Sequence, residues 1–282
     1  MSEKLGNRRV TGTEQYYTPA DLADQLTELM LAAVPNWHSR TFLEPAGGTG
    51  SFVDALSRKG ADSILSVDTD PKHPRVKESN FLEFDPAVKN LVTISNPPFG
   101  RNNALSVPFF NHAAKYSSHI GFLVPRSWRK WSVSNRLDLS FSLIHDIDVQ
   151  VVYQDSQGEQ ITGHNHLRTC FQIWEKQPTE RTKVRIPDHG FVLRTSPELA
   201  NVAIRVFGYG CGKVYTEFER KPNTTMMFLA VSEPAVIEAL KGLDYERFAS
   251  KTAYTKALSL QEINFLLNER ILGDGQALEG NK

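Results

Sequence analysis

Apolar and polar positions along the first two thirds of the chain predict helices and strands in turn. Apolar side chains recur at helical spacing over residues 21–34, and Thr18-Pro19 directly before them is typical of a helix start. Short apolar runs predict strands at 41–43, 63–67, 91–95, 119–124, 147–153 and 169–174. Strands that alternate with helical stretches predict an α/β fold with a doubly wound, mostly parallel sheet, which binds ligands at the carboxyl ends of its strands.

The pattern changes near Gln177, where prolines and charged residues interrupt the apolar runs. We therefore predict one α/β domain at 1–177 and a small C-terminal α+β domain at 178–282. In the second domain the pattern predicts strands near Val214 and at 226–231, and helices at 234–240 and 259–267. This small domain is a candidate for substrate recognition.

Composition places the chain among ordinary globular proteins, with 40% hydrophobic and 23% charged residues. No apolar run approaches the roughly 18 residues of a membrane span, and the N-terminus lacks a signal-peptide core, so we expect a cytoplasmic protein without membrane association. Two cysteines, Cys170 and Cys211, predict neither a disulfide framework nor a metal site.

Basic and acidic residues balance at 32 each, so any surface that binds a polyanion has to be local. One basic stretch lies among two tryptophans and contains Arg126, Arg129, Lys130 and Arg136 with no acid between them. Basic and aromatic side chains together favour contact with nucleic acid, whereas a solvated helix end is the alternative interpretation. We take Arg126, Arg129 and Lys130 as candidate substrate-binding residues.

A glycine-rich segment, Glu44-Pro45-Ala46-Gly47-Gly48-Thr49-Gly50, links the first strand to a helix. Glycines let the backbone turn tightly and approach a nucleotide-like cofactor closely, although a purely structural turn has the same appearance. Asp68 ends the next strand, 18 residues after Gly50, where an acidic side chain can accept hydrogen bonds from ribose hydroxyls. Asp70 is the nearby competitor for this role.

The tetrad Asn96-Pro97-Pro98-Phe99 is the most specific motif of the chain. A planar amine delocalises its lone pair and becomes nucleophilic when hydrogen-bond acceptors favour a tetrahedral nitrogen. The side-chain oxygen of Asn96 and the carbonyl of Pro97 can supply two such acceptors on a backbone that the prolines make rigid. Phe99 offers a face on which a flipped base can stack, a contact worth roughly 1–3 kcal/mol. A proline turn beside a core phenylalanine is the alternative.

In this order the motifs resemble the gamma-class N6-adenine-specific DNA methyltransferases over roughly residues 13 to 176. The resemblance implies a Rossmann-like class I methyltransferase fold, S-adenosyl-L-methionine as cofactor, and catalysis by Asn96, Pro97, Pro98 and Phe99. Asn80-Phe81-Leu82 stands where the family has Asp-Phe-Leu, and an asparagine oxygen can still accept a hydrogen bond from the adenine amine of the cofactor. The implied cofactor-binding residues are Tyr17, Thr18, Pro19, Glu44, Ala46, Gly48, Gly50, Asp68, Asn80 and Phe81.

A polar segment before the last predicted strand contains Gly163-His164-Asn165-His166. Two histidines without further ligands at suitable spacing do not indicate a metal site. In the related enzymes the loop at this place packs on the extruded base, which makes His164 and His166 further candidates for substrate binding.

The resemblance implies methyl transfer to the N6 amine of adenine in nucleic acid, with DNA favoured. RNA adenine methyltransferases share the tetrad and remain an alternative. Protein-glutamine N5-methyltransferases share it too, but they carry a longer helical N-terminal domain than the roughly 40 residues before Glu44. A non-catalytic methyltransferase-fold subunit that works with a protein partner is the third possibility.

Overall fold

The computed structural model describes residues 17–155, 157–159 and 167–276, and its first part is built around a seven-stranded sheet. The strands are β1 Thr41–Glu44, β2 Ser63–Asp68, β3 Lys77–Glu78, β4 Leu91–Ser95, β5 Ser117–Pro125, β6 Phe141–Val149 and β7 Thr169–Lys176. The accompanying helices are α1 Ala20–Ala33, α2 Ser51–Arg58, α3 Ser106–Ala114 and the short α4 Trp131–Ser134. Helix α1 and strands β1, β2, β4, β5 and β7 confirm the predicted elements to within two residues at each end.

The strands follow the order β3-β2-β1-β4-β5-β7-β6. Neighbouring strands are parallel except around β7, which runs antiparallel to both β5 and β6. The sheet is therefore mostly parallel and doubly wound, and it has the Rossmann-like fold of class I methyltransferases. Strands β1 and β4 pair side by side although β2 and β3 lie between them in sequence. A crevice forms outside the carboxyl ends of strands at such a switch point, and ligands bind there.

Apolar side chains cover both faces of the sheet, because parallel strands are buried on two sides. One core packs α1 and α2 against the sheet through side chains such as Leu26, Met30 and Leu56. The other core packs α3 and Trp128 against the opposite face, with the ring of Phe110 at its centre. Phe110 lies edge-on to four other aromatic rings, at centroid distances of 5.6 to 6.0 Å. Packed cores on both faces thus support the carboxyl ends of the strands.

The strand predicted at 147–153 differs from the structure, where β6 spans Phe141–Val149 and the following residues leave the sheet. Val151 and Tyr153 are buried and imitate a strand, but the chain here turns to pair Gln154 with Tyr17. The true start of β6 was missed because this strand lies at the sheet edge and carries polar residues such as Asp146.

The second part of the chain forms a four-stranded antiparallel sheet in the order β10-β9-β11-β8. Its strands are β8 Leu193–Arg194, β9 Val202–Arg205, β10 Val214–Tyr215 and β11 Met226–Ala230, and its helices are α5 Pro234–Lys241, α6 Glu246–Ala249 and α7 Leu260–Leu272. Helices and sheet share a core into which Trp131 from the first part also packs. The boundary predicted at 177/178 falls between β7 and β8, and the division into two domains stays a prediction.

No helix in the described ranges is long and apolar enough to cross a membrane. Across residues 17–155, 157–159 and 167–276, no group of three or more side chains is arranged to hold a metal ion.

Candidate active site

The glycine-rich segment closes tightly over the carboxyl end of β1. Gly48 and Gly50 have φ angles of +45° and +83°, which side-chain-bearing residues rarely adopt. The backbone N–H of Gly50 donates to the carbonyl of Gly47 (2.7 Å), and helix α2 starts at the next residue. A Cβ on Gly47 would lie 2.2 Å from Oγ of Ser66, so the loop also needs glycine for packing against β2. The segment is thus a cradle that added side chains would fill.

Asp68 joins this loop to the end of β2. Its Oδ2 accepts from the backbone N–H of Gly48 at 2.8 Å, and its Oδ1 accepts from the backbone N–H of Asp70 at 2.9 Å. The side chain of Asp70 instead forms an ion pair with Lys72 at 2.5 Å. The structure therefore brings Asp68, rather than Asp70, to the glycine loop, and carboxylate oxygens with further lone pairs remain able to accept from a ribose.

The segment before α1 lies against the same loop. The carbonyl of Thr18 accepts from Oγ of Ser51 at 2.7 Å, and Pro19 is the N-cap residue of α1. The ring of Tyr17 covers Gly48, where an added Cβ would lie 2.6 Å from the ring. Burial, together with the charge of Asp68, raises the pKa of Tyr17. Tyr17 and Thr18 thus contact the glycine loop, and their contact with the cofactor stays a prediction.

Asn96 follows β4 directly and faces the Thr18 segment across the switch point. Its Nδ2 donates to Oγ1 of Thr18 at 3.2 Å, which orients the amide plane. A small pocket of about 30 Å³ lies at this junction and is lined by Tyr17, Thr18, Ala46, Gly47, Thr49, Ser51, Phe52 and Asn96. Residues from three separate segments therefore meet at one place, although 78 positions separate Thr18 from Asn96.

The other three residues of the tetrad differ in burial. Pro97 is buried and Pro98 is half-buried. Phe99 is 9% exposed and packs in the core beneath α1 and α2. Its carbonyl accepts from the backbone N–H groups of Leu105 and Ser106, which fixes the chain after the tetrad. The ring therefore has a structural role, and its stacking on a substrate base stays a prediction.

Asn80 and Phe81 lie beyond β3, at a short 3₁₀ turn. Oδ1 of Asn80 caps this turn by accepting from the backbone N–H of Leu82, and its Nδ2 donates to Glu83. Phe81 is 1% exposed and contacts the rings of Phe109 and His112. The structure thus gives both residues local structural partners, and their contact with the cofactor adenine stays a prediction.

The basic stretch after β5 is engaged in ion pairs inside the protein. Arg129 binds Asp146 at 2.6 Å and Asp148 at 2.7 Å, and Arg126 also binds Asp148. Lys130 pairs with Glu262 at 2.7 Å, and both side chains are largely buried. All three charges thus have partners within the protein, and contact of these residues with nucleic acid stays a prediction. His164 and His166 lie outside the described residues.

Glu44 is a buried carboxyl at the end of β1, and its contact with the cofactor stays a prediction. Burial raises its pKa to about 8, and this effect outweighs the hydrogen bonds that favour the ionised form. Its Oε1 accepts from the backbone N–H of Ala46 at 3.0 Å and from Oγ of Ser95 at 2.5 Å. At neutral pH the group is therefore largely protonated, and it connects the ends of β1 and β4.

Sequence reasoning missed Ser51 and Ser95. Ser51 holds the carbonyl of Thr18, and Ser95 donates to Glu44. Ser51 directly follows the glycine loop and Ser95 directly precedes Asn96, so their positions beside the two motifs were the available signal.

No family model and no curated protein matches this chain. Solved structures do match, and one is a provisionally assigned RNA methyltransferase from Pyrococcus horikoshii, with 19% identity and a TM-score of 0.46 over 58% of this chain and 87% of that one. Another is a provisionally assigned class I S-adenosylmethionine-dependent methyltransferase from Listeria monocytogenes, with 17% identity and a TM-score of 0.42 over 60% and 63%. A modification subunit of a provisionally assigned type I restriction enzyme from Vibrio vulnificus has 13% identity and a TM-score of 0.44 over 88% and 56%.

Sequence identity and TM-score are low for all three structures, so the fold is assigned from the strand order of the sheet.

Proposed function

We propose that this chain is an S-adenosyl-L-methionine-dependent methyltransferase that modifies the exocyclic N6 amine of adenine in nucleic acid, with DNA favoured over RNA. One observation carries the proposal. Asn96, which follows β4, is oriented by Thr18 beside the glycine loop that Asp68 holds at the end of β1. This arrangement places an amide acceptor beside a nucleotide-type cradle at the switch point of the sheet.

The residues present fit this cofactor. The space beside the glycine loop exists because the glycines have no side chains, and an added Cβ would fill it. The carboxylate of Asp68 lies at the edge of this space. The pocket measures about 30 Å³. Ligand sites usually measure roughly 300–1,000 Å³, so the pocket is too small to hold the cofactor as it stands. A neighbouring group therefore has to shift on binding, and the ring of Tyr17 over Gly48 is the group so placed. The cofactor supplies an electrophilic methyl group when it is bound.

The chain itself binds and orients the acceptor. Oδ1 of Asn96 accepts a hydrogen bond from the target amine, and the carbonyl of Pro97 accepts a second, which makes the nitrogen lone pair available. Asn96 is not a base, so the proton leaves after the nitrogen has attacked. Thr18 is a positioning residue because it holds the amide plane of Asn96.

The experiment that tests the substrate class offers radiolabelled methyl donor with four acceptors in parallel. The acceptors are duplex DNA, single-stranded DNA, structured RNA and a protein extract, and the products are hydrolysed and separated. The proposal expects label in N6-methyladenine. Label in methylglutamine would move the assignment to the protein-modifying alternative, and absence of transfer with retained cofactor binding would favour a non-catalytic subunit.

Asn96→Ala tests the proposed centre. Loss of one preorganised hydrogen-bonding group costs about 10²–10³ in kcat, so we expect a decrease of that size with nearly unchanged cofactor affinity by calorimetry. Thr18→Val removes the acceptor that orients Asn96 and should lower kcat less, whereas Thr18→Ser should restore it. Wild-type turnover in Asn96→Ala would contradict the proposed role.

A further inference from the structure

The connection between β10 and β11 crosses one face of the four-stranded sheet, because both strands pair with β9 and lie on either side of it. Tyr215, the last residue of β10, lies opposite Ala203 near the start of β9. Met226, the first residue of β11, lies opposite Arg205 at the end of β9. Residues 216–225 therefore pass from one end of β9 to the other.

The side chains of β9 show which face this connection covers. Ile204 belongs to the core that the sheet shares with the helices, so its neighbours Ala203 and Arg205 point to the opposite face, because side chains alternate along a strand. The ring of Phe218, from the connection, packs on this opposite face beside Phe228, with 5.6 Å between the ring centroids. The connection thus covers the face that carries Arg205.

Arg220 anchors the connection near the start of β9. Its Nη1 lies 2.7 to 3.1 Å from three backbone carbonyls, those of Pro197, Glu198 and Ala200. The cover over the sheet is therefore held by the protein itself. A wall that is already in place lowers the entropic cost of binding a ligand beneath it.

A cavity of about 400 Å³ is lined by both the connection and the covered face of the sheet. Sites for small molecules usually measure roughly 300–1,000 Å³, so this cavity is large enough to hold one. Three aromatic side chains, Tyr215, Phe218 and Phe228, line it together with Met226. Such a lining favours a ligand with a flat apolar body.

Two opposite charges line the same cavity, a half-buried Arg205 and an exposed Glu217. Within the part of the chain that the structure describes, neither of them forms an ion pair, whereas Glu219 and Lys221 of the lining pair with each other at 3.6 Å. A half-buried guanidinium without a counterion favours an anionic group on the ligand, and a carboxylate favours a cationic group. The four charges cancel, so the cavity complements a ligand that carries both signs.

We propose that this cavity binds a small zwitterion with an aromatic side chain, that is, a free aromatic amino acid. Its carboxylate would pair with Arg205, its ammonium group with Glu217, and its ring would pack between Phe218 and Phe228. The cavity shares no lining residue with the pocket at the glycine loop. The inference therefore stands apart from methyl transfer and adds a ligand site to the C-terminal part of the chain.

Isothermal calorimetry with L-phenylalanine as the probe tests this inference. Phenethylamine lacks the carboxylate, 3-phenylpropanoate lacks the ammonium group and L-alanine lacks the ring, so each should bind more weakly than L-phenylalanine. Phenethylamine should bind about 10- to 100-fold more weakly, because hydrogen bonds between charged groups at a half-buried site are strong. The loss for 3-phenylpropanoate should be only about 2- to 5-fold, because Glu217 is exposed.

The variant Arg205→Gln should weaken binding of L-phenylalanine by the same factor and leave that of phenethylamine unchanged. Only L-phenylalanine has the carboxylate that Arg205 would bind, so this difference separates a lost contact from a disturbed fold. Arg194→Gln is the matched control, because it removes an exposed arginine of β8 that does not line the cavity. This control should bind both compounds like wild type.

Absence of saturable binding of both L-phenylalanine and L-tryptophan to wild type would overturn the inference. Equal affinities for L-phenylalanine, phenethylamine and 3-phenylpropanoate would also overturn it, because the protein would then recognise only a ring. Unchanged affinity for L-phenylalanine in Arg205→Gln would place the ligand elsewhere and contradict the inference as well. None of these measurements involves methyl transfer, so the proposed function and this inference fail separately.

Discussion

At the scale of single residues, Glu44 links the stability of the fold to pH. Burial raises its pKa to about 8, above the ordinary value of 4.5. The folded state then binds more protons than the unfolded state between these two values, so the free energy of unfolding falls as pH rises through this window. Each pH unit inside the window costs up to about 1.4 kcal/mol.

Glu44→Gln keeps an acceptor for Ala46 and removes the ionisation. We expect the variant to gain stability relative to wild type from about pH 5.5 to 7.5, as measured by urea unfolding at fixed ionic strength. Below about pH 4.5 the pH-dependent difference in stability between variant and wild type vanishes, because Glu44 is then protonated in both the folded and the unfolded wild-type protein. Two pH profiles that run parallel across the window would contradict a raised pKa at Glu44.

Individual site residues divide into those that a motif reveals and those that only the fold reveals. The tetrad and the glycine loop predict roles for Asn96 and Gly48, because each motif is contiguous in the sequence. The partners of Arg129 could not be predicted in this way, since Asp146 and Asp148 reach it from another strand. Burial of Phe81 is likewise a tertiary property, set by packing against α3.

At the scale of elements, the loop between β1 and α2 depends on a backbone that alanine strains. Gly48→Ala places a side chain at φ +45°, at a cost of roughly 1–2 kcal/mol, and its Cβ would meet the ring of Tyr17. We expect lower stability and weaker binding of S-adenosyl-L-methionine, as measured by thermal melting and calorimetry. Gly60→Ala is a matched control, because Gly60 has φ +89° with no atom within 4 Å of the added Cβ.

Gly60→Ala should lose a similar amount of stability and keep its affinity for the cofactor. If both variants bound the cofactor equally well, the glycine loop would not be the cofactor cradle. Comparing Gly48→Ala with Gly60→Ala thus separates the effect of backbone strain on stability from the effect of a blocked glycine loop on cofactor binding.

Helices and strands were predictable where the apolar pattern of the sequence was clear. Buried strands such as β4 are continuous apolar runs with a sharp end at the tetrad, so the sequence predicted Leu91–Ser95 at both ends. Helix α7 was predicted at 259–267 and spans Leu260–Leu272, so its last five residues were missed. Its start is fixed by the N-cap residue Ser259, which forms a capping box with Glu262. Edge strand β6 and the two-residue strands β3 and β8 carry no such signal, because exposed positions do not need to be apolar.

At the scale of the whole molecule, contacts of Lys130 and Trp131 help to join the part of the chain built on the seven-stranded sheet to the C-terminal part. Lys130 reaches Glu262 at 2.7 Å across the junction, and the ring of Trp131 lies 5.1 Å from Phe248 and 5.2 Å from Phe265. Glu262 also caps α7, so one carboxylate serves both the helix and the junction. We therefore expect wild type to unfold in a single cooperative transition.

Lys130→Ala leaves the carboxylate of Glu262 buried without its cation, a change that typically costs about 3–5 kcal/mol. We expect the C-terminal part to unfold first in this variant, which calorimetry would record as a separate transition at lower temperature. Lys241→Ala removes a cation from a pair that is largely exposed, with Glu238 on the same helix, and should change the profile little. A single transition in Lys130→Ala at the wild-type temperature would contradict a coupling role for the Lys130–Glu262 pair.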